Sequence, residues 1–166
     1  MNRRLLLINF ATQGWQLETL QAETLDKDPR EDYLALSGET LCQYLLRRDP
    51  KALTVARGPM PFLSGNKATV GYISPLTGVP HYSFVGGRAA AQLLNLGLDA
   101  LYLRDARSRA SERNPVSPSY IVVSGRAPNL TVEFKPAADL PTGQRSAYYW
   151  RLEQELSSDA YAGSLF

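Results

Sequence analysis

A single cysteine, Cys42, and a single histidine, His81, stand among the 166 residues of this chain. One sulfur donor builds no internal disulfide, no Cys-x-x-Cys redox pair, no zinc site and no iron–sulfur cluster from this chain alone. Long apolar runs are missing as well. The longest, such as Leu5–Ile8 and Ala89–Ala91, fall far short of the ~18 to 20 residues that a membrane-spanning helix needs, so no membrane span is expected. A strong charge of either sign is also absent, because 18 Lys+Arg against 16 Asp+Glu leave a net charge of +2. With 44% hydrophobic residues, that balance describes a globular domain able to bury one sizeable core, and it excludes long disorder. Met1-Asn2-Arg3-Arg4 precedes four apolar residues, but Asn9 interrupts them early and no small-residue cleavage site follows. The expectation is a cytoplasmic protein. No recognised motif of a hydrolase, kinase or metalloprotease is visible.

What is present is an alternation of short strands and helices. Arg4–Asn9 and Trp15–Leu25 read as strands closed across Ala11-Thr12-Gln13-Gly14. A helix is expected from about Glu31 to Arg48, with Gly38 weakening or splitting its middle and Asp49-Pro50 ending it. Ala52–Ala56 reads as a buried strand running into Arg57-Gly58-Pro59-Met60-Pro61, and a loop continues to Asn66. Lys67–Ser74 and Val79–Val85 pair across Pro75-Leu76-Thr77-Gly78, and Gly86-Gly87 breaks the second of them. Arg88–Leu96 is an Ala- and Leu-rich helix, with Ala100–Leu103 a strand behind it. Residues 104–118 read as a surface loop, Ser119–Ser124 and Leu130–Phe134 as a hairpin across Gly125–Asn129, and Thr142–Leu156 as a last amphipathic helix.

The order strand, turn, strand, helix thus occurs twice. The expected fold is α+β, one domain over residues 1–156, with a first repeat over about 3–104, a partial second repeat over about 119–156, and a tail over 157–166.

Three places have binding character: Gly58 with the loop it opens, Lys67, and the Gly86-Gly87-Arg88 turn. Glycines at a helix start let backbone N–H groups approach an anion closely, and an arginine beside them adds a bidentate partner. A plain tight turn explains the same glycines, and a lysine opening a strand is ordinarily just solvated. Cys42, in Leu41-Cys42-x-x-Leu45-Leu46, reads as a small buried residue on a helix face. Arg104, Arg107, Arg109 and Arg113 form a basic loop, but Asp105 and Glu112 interrupt it and no aromatic residue lies among them to stack a base. Nucleic-acid binding is therefore not expected.

Lys67-Ala-Thr-Val-Gly-Tyr-Ile-Ser74-Pro-Leu-Thr-Gly78, preceded by Gly58-Pro59 and followed by Gly86-Gly87 and Gly97-Leu98-Asp99-Ala100-Leu101, resembles the N-terminal domain of the aldehyde ferredoxin oxidoreductase family. The opening Arg4-Leu-Leu-Leu-Ile-Asn9-x-x-Thr12-x-Gly14 is similar to that family's start, and the resemblance covers roughly Arg4–Leu156. It implies a duplicated α+β fold whose sheets form the base under a tungsten or molybdenum atom held between two pterins, in enzymes that oxidise aldehydes. It implies too that the cluster cysteines and the acid/base residues near the metal lie in later helical domains, outside this sequence. On this reading Gly58, Lys67, Gly86, Gly87 and Arg88 are the cofactor-binding residues, this chain holds no catalytic residue or metal ligand, and a protein partner completes a redox enzyme.

Several positions depart from the family pattern. Lys67 replaces an arginine, keeping the charge but losing the planar fork; Ser37-Gly38-Glu39-Thr40 stands for Gly-Gly-Arg-Gly, and Phe84-Val85-Gly86-Gly87 for Asn-Ser-Gly-Gly. The loop after Gly58 reads Pro-Met-Pro-Phe62 in place of Pro-Leu-Thr-Gly, and the second repeat lacks a glycine-rich loop of its own. A second expectation therefore stands beside the first: a cofactor-free interaction module that kept the fold and forms a homo-oligomer.

Overall fold

Alternation of apolar residues on β1 (Arg3–Asn9) places Leu5 and Leu7 on one side and Leu6 and Ile8 on the other, and this two-sided pattern repeats across a six-stranded sheet. The computed structural model of the chain describes residues 2–21, 37–58, 67–104 and 119–137. Within them β2 (Gly14–Leu20), α1 (Gly38–Arg48), β3 (Leu53–Arg57), β4 (Ala68–Ile73), β5 (Pro80–Val85), α2 (Ala89–Asn95), β6 (Ala100–Arg104), β7 (Ser119–Arg126) and β8 (Asn129–Pro136) follow β1. The large sheet runs β2-β1-β6-β3-β4-β5, with β1 and β6 parallel and all other neighbours antiparallel. β7 and β8 form a separate two-stranded sheet.

Each face of the large sheet is covered by a different layer. On one side α1 brings Leu41, Cys42 and Leu45 against Leu5, Leu20, Ala56, Ala100 and Tyr102. On the other, Ala89, Ala90 and Leu93 of α2 and Ala127 and Leu130 of the β7–β8 hairpin pack on Leu6, Ile8, Val55 and Leu101. Burying these two sets is the main stabilising term, at about 25 cal/mol per Å² of apolar surface. The fold class is α+β, as the residue pattern implies.

Most expected elements are found within a residue or two of their limits, and the details at three glycine-bearing boundaries follow from packing and pairing. The described part of the helix expected about Gly38 begins at that glycine, where the residue pattern allows a split, because Ser37 is extended and its Oγ accepts the Thr40 N–H at 3.0 Å as an N-cap. A Cβ at Gly38 would lie 2.8 Å from the Ala56 carbonyl oxygen and 2.9 Å from Thr69 Oγ1, so the glycine lets the helix start press on the sheet. The turn expected over Gly125–Asn129 is tighter, since Gly125 pairs with Leu130 and Arg126 with Asn129. Gly125 sits at φ +85°, and a Cβ there would collide with the Asn129 carbonyl oxygen. Arg88 caps α2 rather than opening it, which leaves a helix of seven residues.

α2 ends in a Schellman arrangement. Gly97 sits at φ +71°, Leu98 N–H donates to Leu93 O at 2.8 Å, and Gly97 N–H to Leu94 O at 2.9 Å. The expected strand end at residues 22–25, the helix portion 31–36, the loop 59–66, the basic loop 105–118, the helix 142–156 and the tail 157–166 lie outside the described residues.

Candidate anion-binding site

Strand register brings the expected binding residues together. Arg57 on β3 faces Ala68 on β4, and Ala68 faces Val85 on β5. One step further out, Gly58, Lys67 and Gly86 therefore continue a single row across the same end of three adjacent strands. At about 4.8 Å between strands, that row spans about 10 Å. Lys67, Gly86, Gly87 and Arg88 are all exposed and Gly58 is partly so. Gly87 takes φ +71°, and a Cβ on either Gly86 or Gly87 would meet nothing within 4 Å. The turn is open on its outer side, with room for a group to approach the backbone.

Arg88 follows directly and serves as the N-cap of α2 without any side-chain capping bond. Seven residues give α2 little dipole, so an anion at this turn would have to be held by backbone N–H groups and by the Arg88 charge. The start of α1 reaches the same end of the sheet from the opposite face, because Gly38 sits against Ala56 and Thr69, each two residues from the row. Glu39, exposed in the first turn of α1, is the acidic group there.

Under this end lies a charge cluster that reading the residues alone does not anticipate. Asp99 Oδ1 lies 2.9 Å from Arg3 Nη1 and 2.8 Å from Arg57 Nη2, and Asp99 Oδ2 accepts the Arg4 N–H at 2.8 Å. Arg3 and Asp99 are buried. Arg57 also donates from Nε to the Leu98 carbonyl at 2.7 Å and from Nη1 to the Gly58 carbonyl at 3.2 Å. Burial pulls the Arg57 pKa below its ordinary value, partly offset by Asp99 and reinforced by Arg3. The one available signal was a charged residue ending the strand Leu53-Thr-Val-Ala56, immediately before Gly58.

Cys42 and His81 do not form a pair. Cys42 is fully buried on the α1 side, where burial pushes its thiol up to about 11 and Sγ donates to Thr69 O at 3.4 Å. His81 precedes Tyr82, which packs on that same α1 side, so alternation turns His81 to the other face, where its ring lies tilted at 46° against that of its register partner Tyr72, centroids 5.3 Å apart. Among the described residues no group of three or more His, Cys, Asp or Glu is placed to hold a metal ion. No helix among them is long and apolar enough to cross a membrane.

The architecture is a mixed sheet covered by a helix on each face, with Gly58, Lys67, Gly86 and Arg88 gathered at one end. The family model "Aldehyde ferredoxin oxidoreductase, N-terminal domain" matches residues 16–163, and the chain belongs to that family. A solved structure described as "Active site complex BamBC of Benzoyl Coenzyme A reductase in complex with 1,5 Dienoyl-CoA" superposes with a TM-score of 0.67 at 21% identity. The superposition covers 95% of this chain and 24% of that chain, so this chain spans about a quarter of the length of that structure's chain. At that identity the likeness is one of fold. Comparison with curated protein sequences finds no match.

Proposed function

We propose that this chain is one part of a tungsten- or molybdenum-pterin oxidoreductase, supplying phosphate contacts to the pterin cofactor and relying on a partner subunit for the redox centre. The observation that carries this reading is the row Gly58–Lys67–Gly86, with Arg88 beside it, at one end of the sheet. Its donors are cations and backbone N–H groups on open glycines, which suit the oxygens of a phosphate monoester. They fit the phosphate arm of a pterin rather than its metal. When bound, such a cofactor supplies two-electron redox chemistry at its metal.

The residues of this chain bind and orient. Lys67 contributes a point charge, Arg88 a planar fork, and Gly86 and Gly87 a backbone that a ligand can approach without meeting a side chain. The test is to isolate the complex from its host under anoxic conditions and measure tungsten, molybdenum and iron. Stoichiometric tungsten or molybdenum, reduced severalfold by Lys67→Ala and by Arg88→Ala with unfolding midpoints unchanged, is the expected result. A metal-free preparation sinks the reading.

A second reading, an interaction module without cofactor, is favoured by a different observation. β5 is one of the two edge strands of the large sheet, carries no charged residue, and bears Phe84 at 60% exposure beside Val79 at 55% and Leu76 at 95% in the turn before it. Uncharged open edges are normally covered by pairing, and a second copy of this chain is the occupant on this reading. A strict monomer by light scattering at high concentration counts against it.

A further inference from the structure

The phosphate reading uses the exposed row and leaves the buried cluster beneath it unexplained. Each oxygen of Asp99 already has a partner without Arg57, Oδ1 in Arg3 and Oδ2 in the Arg4 N–H. Arg57 nevertheless brings a second guanidinium to the same carboxylate, with a side chain only 13% exposed. Sharing one buried carboxylate between a buried and a partly buried guanidinium leaves net positive charge away from water, and a stability role for Asp99 does not require it. The remaining contacts of Arg57 show what the arrangement does. Its Nε and its backbone N–H fasten β3 to Leu98 and Asp99, and its Nη1 holds the Gly58 carbonyl.

We propose that Arg57 is the positioning residue of the phosphate site, locking the Gly58 end of the row in register with Lys67 and Gly86 and keeping the field there positive. The role rests on the phosphate reading above. A guanidinium is needed because its donors lie in one plane and reach three acceptors at once, Leu98 O, Gly58 O and Asp99 Oδ1; a lysine ammonium keeps the charge but not that fork. An oxyanion on the row would offset the charge that Asp99 shares between two partners, so Arg57 couples to the ligand without needing to touch it.

The test uses the full 166-residue chain, isotope-labelled for NMR and titrated with inorganic phosphate as the probe. The amides of Gly58, Lys67 and Gly86 and the side-chain Nε–H of Arg57 should shift along one binding curve. Arg57→Lys should weaken phosphate by about threefold to tenfold and Arg57→Gln by more than about tenfold, because only the first keeps the charge. If phosphate moves neither Lys67 nor Gly86 in the unaltered chain, the phosphate reading fails and the inference with it. If Lys67 and Gly86 respond while Gly58 and the Arg57 Nε–H stay still, or if Arg57→Gln binds as the parent does, the inference alone is overturned. Equal losses in both variants, in step with their unfolding midpoints, mean a merely structural role and also overturn it. Should both variants fail to fold, the Nε–H curve of the unaltered chain decides.

Discussion

Asp99 is the residue on which this end of the sheet depends. Its side chain and backbone join the start of β1, the end of β3 and the start of β6 through Arg3, Arg4 and Arg57. Replacing it by alanine leaves two guanidiniums without their shared carboxylate, and losing one partner of a buried charge cluster costs about 3 to 5 kcal/mol. Chemical denaturation of Asp99→Ala should show a loss of that size, with Asp99→Asn losing less because its amide oxygen still accepts. An unchanged midpoint would mean that water replaces the carboxylate freely. Cys42 yields a second prediction at this scale. Its pKa is raised from 9.0 to about 11, chiefly by burial, so the unfolded thiol deprotonates first and the folded state holds the extra proton between those values. The corresponding stability is fully present below pH 9 and falls as pH rises towards 11, a slope that Cys42→Ala should reduce. Thiol reagents at pH 8 should label the native chain far more slowly than the unfolded one.

Two glycines at the ends of elements look alike in sequence and should respond to alanine in opposite ways. Gly38 opens α1, where alanine gains up to about 1 kcal/mol in helix propensity. Its Cβ would however lie 2.8 Å from a backbone oxygen of β3, so the helix must lift from the sheet. Gly38→Ala should destabilise the fold, and Ser37→Ala should remove about 1 kcal/mol by loss of the cap. Gly86 meets nothing within 4 Å, so Gly86→Ala should leave the thermal midpoint within a degree or so while narrowing the approach to the backbone that a phosphate would use. Equal destabilisation by the two substitutions would contradict the packing described here.

This contrast also marks what the residue pattern carries and what it does not. The short, largely apolar runs of β1, β3 and β6 and the Pro-Leu-Thr-Gly turn are local signals, and they locate the elements closely. Gly38 read as a weak point inside a helix because its reason, contact with Ala56 and Thr69, comes from another layer of the fold. Gly125 read as turn because a left-handed glycine is as compatible with the paired last step of a hairpin as with its loop. Gly58, Lys67 and Gly86 were legible singly as binding candidates. Their union in one row depends on cross-strand register, and the role of Arg57 is not legible locally because its partners Leu98 and Asp99, just before β6, are distant in the chain.

At the scale of the whole molecule, the large sheet has β2 at one edge and β5 at the other, and the two edges are guarded differently. β2 carries Glu18, ion-paired at 2.7 Å with Arg48, and so presents charge beside its edge. β5 reads Pro-His-Tyr-Ser-Phe-Val, with Phe84 exposed and no lysine or glutamate to discourage pairing. Among the described residues no strand lies beyond it. A partner subunit and a second copy of this chain would compete for such an edge, because backbone pairing there is indifferent to which chain supplies the strand. The chain expressed alone should therefore self-associate at micromolar concentration, and Phe84→Lys should return it to the monomer without lowering its unfolding midpoint. Sedimentation across a concentration series measures both. A parent chain that sediments as a monomer throughout would mean that this edge is not sticky by itself, and that assembly with a partner must use another surface.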